Sequence, residues 1–199
     1  MTTAIKGSLT TAVILAVFWI AGASVAYGAA ERLRWDIISL DTTTTPFTLS
    51  PGGVAFAAAR NPSTLTIKLT GSGTFVAPAS GGTSSGVTGG GTWATFSDGT
   101  MTGSGTFMVK ELVSWHFANF QTSTFIDLID DGTRSNGNAV LRIEYSDGSA
   151  GILGVGCHGP GALPGIQEGV IATKNFMTYW DGQAPVPGID ADRTNFHVK

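Results

Sequence analysis

Cys157 and His158 stand side by side in Gly156-Cys-His-Gly-Pro-Gly-Ala-Leu-Pro-Gly165, and no other pair in the chain is as suggestive of chemistry. An imidazole beside a thiol lowers the thiol pKa, so the pair could form an activated nucleophile or part of a metal site. The spacing favours less. Adjacent residues point in different directions, and the only other imidazoles are His116 and His197. No Cys-x-x-Cys or similar pair supplies the ligand spacing of structural zinc. Cys157 is the single cysteine, which excludes an internal disulfide, and a lone cysteine is more often a small buried side chain than a reactive one. A Gly-Pro loop still suits the mouth of a pocket, which makes Cys157 and His158 ligand-contact candidates.

Glu111 is the other candidate for chemistry. Along the odd positions from Met101 to Phe117 every residue is apolar or glycine except Glu111. On an unbroken strand its carboxylate would enter the core or a cavity, where desolvation raises its pKa toward acid–base work, with His158 or Cys157 as partner. A bulge near Glu111-Leu112 would swap the faces, place Leu112 inside and leave Glu111 exposed; this is the favoured reading. His116 falls on the even face with Ser114, away from Glu111. Arg142 and Glu144 share the face opposite Leu141, Ile143 and Tyr145, as expected of a solvated, cross-paired strand face. Glu168 and Lys174 are weaker candidates still.

Trp93, Trp115 and Trp180 could stack on sugar rings or line an apolar pocket, and they complete the set of ligand-binding candidates. Aromatics on strands more often belong to the core. The phrases Gly71-Ser-Gly-Thr-Phe75, Gly90-Gly-Thr-Trp93 and Gly103-Ser-Gly-Thr-Phe107 imitate a phosphate cradle, but they lack the P-loop lysine and no helical pattern follows them. They read better as bends or close backbone approaches on neighbouring strands, with the aromatic covering the gap. Neither a Gly-x-Ser-x-Gly elbow nor a His-Glu-x-x-His helix is present. No metal or cofactor is expected.

The elements that would position these residues are strands. Leu33, Trp35 and Ile37 alternate with Arg34 and Asp36, and Leu65, Ile67 and Leu69 alternate with Thr and Lys. Ser97-Asp-Gly99 and Ser146-Asp-Gly148 are tight-turn signals that join antiparallel pairs. Asp41–Pro46, the polar stretch Asp130–Asn138 and the Gly-Pro run after Val155 read as loops, and Glu168–Trp180 as an ordered segment of open type. Ala184-Pro-Val-Pro187 starts an irregular tail.

The chain has 199 residues, 28 of them Gly, with 13% charged and 10% aromatic residues and a formal charge of −3. Low charge and abundant Gly suit an all-β protein, and a weakly acidic surface without a basic cluster argues against nucleic acid. In residues 1–30 the only charge is Lys6, followed by an apolar block from Ala12 to Ala21 and small residues to Ala30. That order predicts a signal peptide, with an uncleaved membrane anchor as the alternative, and a secreted or periplasmic protein.

The repeated Gly-Thr-aromatic strands behind a leader resemble those of small secreted β-barrels such as the dirigent and allene-oxide-cyclase-like proteins, over about Thr64 to Val155. No family-specific catalytic motif matches, so the resemblance gives no residue a role. The expectation is a single all-β domain over residues 31–199, a small antiparallel barrel or a β-sandwich. Its favoured role is binding a small apolar molecule or glycan through an aromatic-lined cavity or face. A small barrel enzyme of cyclase or isomerase type, with Glu111 as acid or base, is the alternative. Membrane contact is expected only through a retained leader.

Overall fold

The computed structural model of the protein describes residues 30–182 and 192–199. The expected leader, apart from Ala30, and the proline-containing segment 184–187 lie outside the described residues. Within them the chain forms strands and no helix: β1 Glu31–Asp41, β2 Thr48–Pro51, β3 Ala55–Ala59, β4 Leu65–Ala77, β5 Val87–Ser97 and β6 Thr100–Phe120. These are followed by β7 Ile126–Asp127, β8 Thr133–Tyr145, β9 Ala150–Cys157, β10 Gly169–Lys174, β11 Met177–Gly182 and β12 Arg193–Val198. The fold is all-β.

All twelve strands belong to one sheet whose hydrogen bonds run in a ring. The chain β4–β5–β6–β8 forms one side. Two routes close the other. β4 gives Thr66–Leu69 to β3 and Ser72–Ala77 to β1. β8 gives Gly137–Glu144 to β9 and Thr133–Ser135 to β12. Between those ends run β3–β11–β10–β9 and β1–β12. Every pairing is antiparallel except β2 with β7, a short parallel addition beyond β1. With one sheet bonded into a ring, few strand edges remain open.

The core fills this ring. Leu33, Trp35 and Ile37 of β1, Ile67, Leu69 and Phe75 of β4, Phe107 and Leu112 of β6, Leu141 and Ile143 of β8, and Phe196 of β12 are all buried in one cluster. The alternation read along β1 and β4 thus selects the inward face. The three Gly-Thr-aromatic phrases fall on the adjacent strands β4, β5 and β6, where glycines approach aromatics. A Cβ on Gly73 would lie 2.2 Å from the Thr88 carbonyl oxygen and 2.9 Å from Trp35 Nε1. Both Asp-Gly turns form hairpins, the first with Asp98 and Gly99 at φ of 50° and 77°, the left-handed values such turns need.

Two local expectations are corrected, and one left open is decided. Residues 133–138, read as part of a polar loop, are the first half of β8. Polar side chains are accommodated there because Asn136 is buried under further chain, hydrogen-bonded to Asn119 and to the Gly159 amide, while Ser135 shares the inward face of its strand partner Phe196. The C-terminus is not an irregular tail to its end, since β12 fits between β1 and β8 and Phe196 enters the core. The segment 168–180 is a strand hairpin, β10–β11, turning at Asn175 and Phe176.

β6 contains register shifts, and one falls between Val109 and Glu111. Leu112 is therefore fully buried, while Glu111 is half-exposed and accepts a 2.9 Å bond from Arg142 Nε. The regular alternation that would have carried the carboxylate inward does not exist, because the bulge inserts an extra residue.

Candidate functional site

The outward faces of β1, β12 and the start of β8 would ordinarily meet water, yet Asp36, Asn195, His197 and Asn136 are all buried. They are covered by the segment from Gln121 to Asp131, which includes β7, by β2 and by the glycine-rich loop after Cys157. Hydrogen bonds hold this second layer down. His197 Nε2 meets Asp127 Oδ2 at 2.8 Å, and Asp127 Oδ1 accepts the amides of Ile129 and Asp130 at 3.0 and 3.2 Å. Burial opposes ionisation of Asp127, but these partners outweigh it and hold its pKa below the usual carboxylate range. Arg134 donates to the Ser123 carbonyl at 2.6 Å and covers the Phe125 ring at 4.4 Å. Gln121 Nε2 donates to Asn195 Oδ1 at 2.9 Å and lies 3.3 Å from Cys157 Sγ.

Between the two layers is a cleft of about 480 Å³. Its apolar wall comes from Ile38 and Leu40 of β1, Leu49 of β2, and Phe47 and Phe125. Its polar side comes from Gln121, Cys157 and Asn195, with His158, Glu168 and Arg193 around the glycine loop. The loop is pinned at several points: Gly159 N–H to Asn136 Oδ1 at 2.8 Å, Asn119 Nδ2 to the Gly161 carbonyl at 2.8 Å, and Thr122 N–H to the Pro160 carbonyl at 3.2 Å.

Glu168 joins the loop to β12. One carboxylate oxygen accepts the His158 amide at 2.5 Å and the other the Thr194 amide at 2.9 Å. Burial pushes its pKa up to about 7, against the opposing pull of these two amides and of the Arg193 and His158 charges. His158 itself is exposed, with Nδ1 2.8 Å from the Ile166 carbonyl. A carbonyl only accepts, which assigns the proton to Nδ1 and leaves Nε2 as an acceptor in the neutral ring.

Cys157 and His158 thus reach the same cleft but do not act on each other. The thiol's partners are Gln121, Asn136 and Asn195. Burial, with Glu168 nearby, pushes the thiol pKa up, opposite to what an activated nucleophile needs. Glu111 lies outside this cleft in its surface pair with Arg142. The three tryptophans are dispersed. Trp93 is in the core beneath the buried Lys174 ammonium, whose Nζ sits 4.1 Å from the ring centre. Trp115 packs at 4.6 Å on Phe196, and Trp180 is half-exposed under Arg60.

Sequence reasoning ranked Glu168 low, noted His197 only as a further imidazole, and passed over Gln121, Asp127 and Asn195. Thr194-Asn-Phe-His197 does alternate as a half-buried strand would, a signal for β12 itself but not for the burial of its polar face. No group of three His, Cys, Asp or Glu side chains among the described residues could hold a metal ion. No protein-family model matches the chain, and neither a curated protein nor a solved structure matches it.

Proposed function

We propose that this chain is an exported β-barrel protein that binds a small, largely apolar molecule in the cleft between β1–β12 and the covering layer. The observation that carries the reading is the cleft itself: about 480 Å³, walled by five apolar side chains on one side and by hydrogen-bonded polar groups on the other. That size and that division of labour suit small-molecule sites, in which apolar contact supplies affinity and a few polar groups supply orientation. A glycan is the less favoured ligand, because no tryptophan presents its face there. The ring of strand pairing supports the barrel, and the Lys6-led apolar leader supports secretion or delivery to a periplasm.

The test uses N-phenyl-1-naphthylamine, an uncharged dye that brightens in apolar sites. The full chain should enhance its fluorescence saturably, and Ala162→Trp, which fills the cleft from the loop, should abolish the effect. Unchanged dye binding in a folded Ala162→Trp protein would refute the site.

One observation favours a second reading. Glu168 is a cleft carboxyl with a pKa of about 7, suited to giving and taking a proton near neutrality. A barrel enzyme using Glu168, with His158 Nε2 at the rim, would convert the molecule it binds. Mass spectrometry of the ligand recovered before and after incubation checks this: conversion that persists in Glu168→Gln would remove Glu168 from the chemistry.

A further inference from the structure

The polar side of the cleft is unequal in what it offers a ligand. Apart from Thr42 and Arg193 at its edge, its side-chain donors are engaged within the protein. The Gln121 amide nitrogen serves Asn195 and Cys157, and the Asn195 amide nitrogen faces the His197 ring at 3.3–3.4 Å. The Thr194 hydroxyl donates to the Gly156 carbonyl at 2.5 Å. The backbone amides of His158 and Thr194 both go to Glu168, and His158 Nδ1 goes to the Ile166 carbonyl. What remains is of the opposite kind: the Gln121 carbonyl oxygen, the outer lone pairs of the Glu168 carboxylate and His158 Nε2.

We infer that the cleft selects apolar molecules ending in a hydrogen-bond donor, an alcohol or an amine, and discriminates against apolar acids. The inference rests on the cleft being the binding site. A carboxylate ligand would bring only acceptors to groups that are themselves acceptors, leaving buried lone pairs opposed and unpaired. A hydroxyl or ammonium supplies the missing protons. Two groups work the other way or are neutral: the Arg193 guanidinium at the exposed rim and the Thr42 hydroxyl at the mouth. Arg193 already acts on Glu168 electrostatically, so its charge is partly answered within the site.

The experiment displaces bound N-phenyl-1-naphthylamine from the wild-type chain at pH 8 with three ligands of one chain length: 1-octanol, octylamine and octanoate. Octanol and octylamine should displace the dye at concentrations about tenfold below octanoate, the scale expected from one unsatisfied polar contact. Octylamine stronger than octanol assigns the contact to ion pairing with Glu168, and equal strength assigns it to hydrogen bonding alone. Octanoate displacing as well as octanol would overturn the inference and leave the site standing, with Arg193 as the dominant group. Failure of all three to displace the dye would also overturn it. Dye binding that survives Ala162→Trp would instead show that the site was wrong, a result separable from the other two.

Discussion

β1 and β12 are buried on both faces, and the two faces are made of different material. Toward the ring interior stand Leu33, Trp35, Ile37 and Phe196, members of one apolar cluster in which Phe196 packs on Phe75 and Trp115. Away from it stand Asp36, Asn195 and His197, no less covered but held by hydrogen bonds. An apolar layer gains from every contact and tolerates few voids. A polar layer needs each donor and acceptor to find a partner, and directional bonds of fixed length leave gaps between them. The cleft opens in the second layer. The contrast suggests that the interior supplies stability and the outer layer supplies recognition.

Substitutions on the two faces sharpen that division, and the largest effect is expected inside. Phe196→Ala removes a fully buried ring packed on Phe75 and Trp115, at 6.3 and 4.6 Å between centroids. Urea unfolding should show a loss of about 3–5 kcal/mol. A loss under 1 kcal/mol would mean that the interior is not the main support. Gly73→Ala tests the same region by overfilling, since the added carbon meets the Thr88 backbone, which cannot move aside cheaply. Its cost should lie toward the upper end of roughly 1–3 kcal/mol, and a neutral outcome would show that the β4–β5 contact yields easily.

In the outer layer the expected effects are smaller. Gln121→Ala leaves Asn195 Oδ1 with only the distant Cys157 thiol as donor, but Gln121 is half-buried and water can enter the cleft, so about 1 kcal/mol is expected by the same unfolding assay. Glu168 contributes a pH dependence. Its proton is retained to about 7 in the folded chain, against 4.5 for an ordinary glutamate. Between those values the folded state binds more protons than the unfolded one, so this contribution is fully present below about 4.5 and is lost as pH rises through 7. Urea midpoints for Glu168→Gln, measured across that range beside the parent, should show this part of the slope removed. An identical slope in both would place the titration elsewhere. Glu111→Ala should matter least, because the partner Arg142 is more than half exposed and such pairs contribute ~0–1 kcal/mol. A cost above that range would mean that Glu111 has a role beyond its surface pair.

Much of the interior was legible from local pattern. Period-two alternation chose the inward residues of β1 and β4, and Asp-Gly placed two hairpins, since only certain residues adopt the required positive φ. The glycine–aromatic phrases also read correctly as neighbouring strands in close approach. The bulge before Glu111 was legible only as an alternative, because a one-residue insertion leaves no fixed signature in the chain. Residues 133–138 and 193–198 were misjudged for a common reason: their polar side chains look solvated until chain from elsewhere covers them.

By itself, then, the sequence determined the all-β class, the two hairpins and the identity of the inner face, all of which follow from backbone preference and hydrophobic periodicity over a few residues. The tertiary structure alone decided that β12 would slot between β1 and β8, and that residues 121–131 and the Cys157 loop would cover its outer side. Only that covering brings Gln121, Cys157, Glu168 and Asn195, from four separate parts of the chain, to one cleft. Hydrogen-bond partners so far apart leave no periodic trace, because their match depends on where the strands lie in space and not on their spacing along the chain.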